Sequence, residues 1–259
     1  MIVQTVNVRS GSLVRRRSTM LSVIAIIASA AATFTATAPR VPIIQFVMAK
    51  CPMSTSLHAK FARTVMSSGI RSIVNFTQSF VGGPVGEGPV NATNWMSCFH
   101  GPSECEGHTI MLCARNVSRR VDPHDYRWFD LVTCMDGPLG IPGVTYGLPT
   151  SIPQDAASCA VNASFSEAEW ASVTACATGP QGASLLRRSH FSTMTLFAQH
   201  GGYTPQGHGY RPPLIPNIWI AGKEFNDPLV HARDPYADLV QRVCAAYTGV
   251  TKPTECAGA

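Results

Sequence analysis

Nine cysteines punctuate this 259-residue chain, at positions 51, 98, 105, 113, 134, 159, 176, 244 and 256. Cysteine sulfur acts as a thiolate nucleophile, as half of a disulfide or as a metal ligand, and an odd count leaves at least one thiol over in a monomer. Cys51 is the cysteine with no obvious partner. It lies in Lys50-Cys51-Pro52-Met53-Ser54, between an apolar run and an amphipathic run. At a helix start, unpaired backbone N–H groups and the helix dipole favour thiolate over thiol. A thiolate attacks a disulfide to give a mixed disulfide, which a second thiol must then resolve. Three residues on stands Ser54, whose hydroxyl is too weak an acid for that second step. It can instead donate a hydrogen bond to a Cys51 thiolate and cap the helix.

The remaining eight cysteines, Cys98, Cys105, Cys113, Cys134, Cys159, Cys176, Cys244 and Cys256, are expected in disulfides. Eight allow 105 connectivities. Cys244 with Cys256 is the expected pair, because the two are close in sequence and flank a turn containing Gly249 and Pro253; the others stay open. His100 and His108 beside these cysteines raise a zinc site as the competing reading. The C-x6-C-x7-C spacing departs from the usual short C-x2-4-C pairs, so no metal is expected. His58 is expected as a solvated histidine on the first helix. Walker, GxGxxG, GxSxG and HExxH patterns are absent from the sequence.

The elements that must hold Cys51 follow from periodicity. Val41–Met48 (VPIIQFVM) reads as a short buried strand, and Thr55–Ser68 as a helix with Met53, Leu57, Phe61 and Val65 on one apolar face, stopped at Gly69. Ser72–Phe80 reads as a second strand that completes a βαβ unit. Gly82–Pro89 is a glycine- and proline-rich loop. From there to about residue 205 the chain is cysteine-rich with helical patches at 126–135, at 166–177 behind a Ser166/Glu169 cap, and around 185–197. This stretch is expected to be an insertion of about residues 82–205 held by disulfides. A proline then precedes a strand ending in Gly222-Lys223, and 234–247 reads as a final helix. The order β-α-β, insertion, β-turn-β-α predicts an α/β, thioredoxin-like fold with a disulfide-rich helical insertion.

Arg15-Arg16-Arg17 followed by the apolar segment 20–32 and small residues up to Ala38 has the layout of a secretory signal peptide, with a signal anchor as the alternative. Residues 1–38 are therefore read as the signal and 39–259 as the working domain. Four of the 20 basic residues and none of the 15 acidic ones lie in the signal, so the rest is close to neutral. That excludes electrostatic attraction to nucleic acid, and no membrane association is expected once the signal is cleaved. Four sequons, at Asn75, Asn91, Asn116 and Asn162, are consistent with glycosylation in the secretory pathway.

The segment Cys98–Cys113, CFHGPSECEGHTIMLC, resembles the signature of the gamma-interferon-inducible lysosomal thiol reductase family, Cys-Gln-His-Gly-x-x-Glu-Cys-x-x-Asn-x-x-x-x-Cys. Cys98, His100, Gly101, Glu104, Cys105 and Cys113 match, Phe99 replaces Gln and His108 replaces Asn. Cys134-Met135, Cys159-Ala160, Cys176-Ala177, the segment Pro216 to Gly222-Lys223 and the Cys244/Cys256 pair extend the resemblance to roughly residues 41–256. It implies reduction of disulfide-containing protein substrates in a secreted or endosomal/lysosomal setting, with Cys51 as nucleophile and Ser54 in the place of the family's second cysteine. The similarity to thioredoxin folds makes Pro216 the candidate cis-proline facing Cys51, with the Ile215 backbone pairing with substrate. No cofactor is implied beyond an external thiol such as glutathione or cysteine. The alternative function is a catalytically weak secreted glycoprotein that binds or traps cysteine-containing partners. The expected state is a monomer, or a dimer linked through Cys51.

Overall fold

The computed structural model describes residues 38–82, 98–136, 152–199, 205–206, 209–210, 216–225 and 237–258. The signal segment, Asn91, Ile215 and the loop 83–89 lie outside them. Thr37–Ala259 forms one compact unit.

Strand β1 (Val41–Val47) leads through a four-residue turn into α1 (Pro52–Phe61), which continues as a π-helical turn, Ala62–Met66, and then a 3-10 turn, Gly69–Ile73. The chain returns as β2 (Val74–Phe80), parallel to β1 and in register from Val41↔Val74 to Val47↔Phe80. β2 starts two residues later than periodicity indicates, because Ser68 accepts the Ile70 N–H at 3.3 Å and winds the approach into the 3-10 turn. Five helices follow: α2 (Pro102–Ser118), α3 (Arg127–Met135), α4 (Ile152–Asn162), α5 (Glu167–Thr178) and α6 (Pro180–Gln199). The reciprocal Ser166/Glu169 capping box starts α5. Two-residue strands β3 (Pro205–Gln206) and β4 (Gly209–Tyr210) form a small hairpin. Strands β5 (Asn217–Ile220) and β6 (Lys223–Glu224) then rejoin the main sheet, and α7 (Ala237–Ala246) precedes a 3-10 turn at Thr254–Cys256.

The sheet order is β2-β1-β5-β6, with β5 antiparallel to β1 and β6 antiparallel to β5. A parallel βαβ half joined to an antiparallel ββα half in this order is the thioredoxin-like arrangement, here split by α2–α6. On one sheet face, Leu57 and Phe61 of α1 and Leu239 and Val243 of α7 share a core with Ile43, Phe76, Ile218 and Ile220. On the other face, Met194 and Phe197 of α6 cover Phe46 and Trp219, with the Phe46 and Phe197 rings 4.7 Å apart edge to face.

The outer edge of β2 is closed by side chains from the insertion. Tyr126 Oη donates to Val74 O at 2.8 Å and accepts the Phe76 N–H at 3.2 Å. Arg119 donates to Phe76 O, and Arg115 Nη1 donates to Gln78 O at 2.5 Å. Ser189 Oγ accepts the Phe80 N–H at 2.8 Å, while Thr193 Oγ1 donates to Phe80 O at 3.0 Å. Burial pulls Arg115 down to about 10, which leaves it cationic at neutral pH. An edge strand otherwise exposes these groups to any passing chain.

Two expectations for α1 are corrected. Met53 is not on the core face; it is 45% exposed. His58 is not a solvated surface residue but is fully buried, and the inward face is Ser54, Leu57, His58, Phe61 and Val65. The helix is rotated so that two polar residues point inward, where each finds a partner.

Candidate active site

The turn from β1 to α1 places Cys51 at the N-cap of α1, in extended backbone (φ −84°, ψ 120°), with Pro52 at the first helical position. Proline there suits the helix start, since its missing N–H would have had no helical partner. Cys51 is buried, 7% exposed as a residue, and is the one free cysteine. Among the described residues no other thiol is free, because the remaining sulfurs pair as Cys98–Cys105, Cys113–Cys176, Cys134–Cys159 and Cys244–Cys256. These bridges close the loop onto the first turn of α2, tie α2 to α5 and α3 to α4, and anchor the tail on α7.

Every backbone N–H from residue 48 to 51 has a partner. Met48 N–H donates to Ser54 Oγ at 3.2 Å, and Ala49 N–H to His108 Nε2 at 2.9 Å. Lys50 N–H donates to Glu104 Oε2 at 3.2 Å, and Cys51 N–H to Met48 O at 3.1 Å. Lys50 Nζ adds a 2.6 Å bond to Ser103 Oγ. The turn carrying Cys51 is therefore held by the start of α2, more than fifty residues away in sequence. Ser54 is fully buried at the third helical position, and its hydroxyl receives the Met48 N–H; Cys51 itself makes no side-chain cap bond. The hydroxyl thus ties α1 back to the end of β1.

The signature segment is the brace. Gly101 caps α2 with φ +87°, a left-handed conformation that glycine adopts without strain. Fully buried Glu104 receives the His100 N–H at 3.3 Å and faces His100 Nδ1 at 2.5 Å, so its two oxygens hold both the Cys98–Cys105 loop and the Lys50 amide. His108 stacks on Phe80, with ring centroids 4.5 Å apart. Burial holds its pKa well below the usual histidine range, with the nearby His190 and His100 adding to the effect. The neutral ring accepts at Nε2, so its proton is on Nδ1, which lies 3.4 Å from His190 Nε2 and 3.5 Å from Cys98 Sγ. Cys98, His108 and His190 are close enough to suggest a metal centre. The donor chemistry does not fit one: the sulfur is in a disulfide and the converging His108 nitrogen carries a proton.

Beneath α1 lies a second polar set that sequence reasoning missed. His58 Nδ1 pairs with Asp136 Oδ2 at 2.6 Å, and its Nε2 meets Gln78 Nε2 at 2.9 Å, which in turn donates to Gln45 Oε1 at 3.0 Å. The one sequence signal was polar residues inside otherwise apolar strands, Gln45 and Gln78. Pro216 is buried directly before β5, whose Asn217 pairs with Phe46 near the end of β1. The sheet therefore places it at the same end of the strands as the Cys51 turn. Of the sequons, Asn75 and Asn162 are exposed and Asn116 is half-buried.

No curated protein matches the chain. Among solved structures it resembles reduced DsbA from Mycobacterium tuberculosis, at 8% identity over 85% of this chain and 87% of that one, with a TM-score of 0.44. It also resembles the MdbA thiol-disulfide oxidoreductase of Corynebacterium diphtheriae, at 13% identity over 73% of this chain and 78% of that one, with a TM-score of 0.40. The fold assignment rests on strand order and direction, not on these likenesses. The matching family model, Gamma interferon inducible lysosomal thiol reductase (GILT), spans residues 42–141, which include β1, the Cys51 turn, β2 and the bracing segment, and over those residues the chain is similar to that family.

Proposed function

We propose that the protein is a thiol-disulfide oxidoreductase acting on protein disulfides through Cys51 alone. The observation that carries this reading is a single free cysteine at the N-terminus of α1, on a turn whose backbone is pinned throughout. The Cys51 thiolate attacks one sulfur of a substrate disulfide, forms a mixed disulfide and expels the other sulfur as thiolate. An external thiolate then attacks the substrate sulfur of that adduct and expels Cys51. A second external thiol completes reduction of the substrate, leaving the small thiol as its own disulfide. Ser54 cannot take the resolving step, so glutathione or free cysteine is the reductant.

The working domain is 39–259, delivered by the signal 1–38 to the secretory pathway and used after secretion or in endosomes or lysosomes. Among the described residues no helix is long and apolar enough to cross a membrane. Glycans at Asn75 and Asn162 would stand clear of the core. Pro216 lines the substrate approach, where Ile215 offers backbone to an extended segment.

The experiment is turnover of a disulfide substrate with excess free cysteine, at acidic and neutral pH, for wild type and Cys51→Ala. Wild type is expected to turn over and Cys51→Ala not to; equal rates in both would refute the reading. The absence of a second thiol beside Cys51 favours one rival, a trap that holds partners as long-lived mixed disulfides. A wild-type adduct that free cysteine does not release would identify it.

A further inference from the structure

His108 is fully buried, out of reach of a substrate, yet it sits where the Cys51 turn, the Cys98–Cys105 loop and α6 meet. Its Nε2 takes the Ala49 N–H at 2.9 Å, two residues before the nucleophile. Phe80 holds the ring face from β2, and His190 of α6 meets the opposite nitrogen. Gly82 packs against the far side of His190 so closely that a Cβ there would lie 2.2 Å from the His190 ring. The ring is thus clamped on three sides, and its only directed bond to the turn is an accepted one.

We propose that His108 is a positioning residue for Cys51, its neutral imidazole fixing the turn by accepting the Ala49 N–H; this rests on the reading of Cys51 as the nucleophile. An accepting nitrogen does this only while unprotonated. A protonated ring would put two donors face to face and release the turn. The titratable groups around it are His190 from α6, His100 and Glu104 from the start of α2, and Lys50 from the turn. Of these, His190 and His100 oppose a charge on His108, in addition to its burial. The sign follows: with the folded-state value held below 6.5, the neutral, accepting form is fully present above the ordinary histidine range. It is lost as pH falls through the lowered folded value. The clamp therefore survives into moderately acidic solution.

The test compares wild type, His108→Leu and His108→Gln. Leucine removes the acceptor; the glutamine oxygen reaches where Nε2 sits and does not titrate. His108→Leu is expected to lower kcat about tenfold with little change in KM, as for a buried N–H left without a partner. His108→Gln is expected to recover most of that loss. As pH falls through the lowered His108 value, the Ala49 amide is expected to lose protection from exchange in wild type and to stay protected in glutamine. A leucine variant at the wild-type rate would overturn the proposal. So would a glutamine variant that falls as far as leucine, or whose Ala49 amide loses protection at the same acid pH as wild type. If leucine does not fold, the Ala49 exchange profiles of wild type and glutamine decide alone. If wild type itself shows no turnover, the functional reading fails, and exchange of the Ala49 amide tests the clamp separately: slow in wild type, fast in leucine and slow again in glutamine. Fast exchange in wild type would refute it.

Discussion

Replacing Ser54 with cysteine puts a second sulfur at the third helical position, one turn along α1 from Cys51. The serine is fully buried and its Oγ accepts the Met48 N–H at 3.2 Å. Sulfur is larger and a weaker acceptor, so the exchange is expected to cost about 1–2 kcal/mol. For a domain of this size that lowers the melting temperature by about 2–8 °C. The kinetic effect runs the other way. On the proposed cycle the wild-type Cys51 adduct waits for an external thiol, and its decay rate should rise linearly with thiol concentration. In Ser54→Cys the resolving thiol is intramolecular, with an effective concentration of about millimolar or more. At ~0.1 mM external thiol the adduct should therefore decay at least about tenfold faster than in wild type, and independently of that concentration. The assay is single turnover: form the adduct with an excess of a labelled disulfide, remove the excess, and follow label release against free cysteine. Equal and equally thiol-dependent decay in the two proteins would show that position 54 does not face Cys51, and the account of the turn would be wrong.

Two further outcomes follow from the brace and the sheet edge. Glu104→Gln replaces a carboxylate that receives three donors with a group that itself donates, and should cost about 2 kcal/mol in denaturant melts while slowing Cys51 turnover; unchanged turnover would separate the brace from the chemistry. Tyr126→Phe strands the buried Val74 carbonyl and Phe76 amide and should cost about 2–4 kcal/mol, or about 4–16 °C in melting temperature, with turnover intact at lower temperature. A melting temperature within a degree of wild type would show that the edge finds other partners.

The sequence made the frame around Cys51 legible because β1, β2, β5 and α7 bury mostly apolar residues at regular spacing. The orientation of α1 was not legible. Leu57, Phe61 and Val65 lie where the spacing puts them, but Ser54 and His58 go inward and Met53 outward. The reason is long-range: His58 is matched by Asp136, 78 residues on, and by Gln78 on β2. Hydrophobic periodicity cannot register a polar residue whose partner comes from another element. The same holds for α2, whose apolar stripe is interrupted by Glu104 and His108, both fully buried. Those interruptions are what reach across to the Cys51 turn. The place of Cys51 as an unpaired cysteine at a helix start was readable from residue type and spacing, whereas the support under it exists only once the chain is folded.

The closed margin of β2 has a consequence for the company this protein keeps. On the proposed function, the disulfide-bonded chains it would act on arrive partly unfolded, with strands free to join any open sheet. Here the long margin is occupied by tyrosine, arginine, serine and threonine side chains, and the opposite margin is the two-residue β6, with charged, exposed Lys223 and Glu224. Among the described residues neither margin presents a long open strand as a template for co-aggregation. Unfolded chains can approach the sulfur without being incorporated into the sheet.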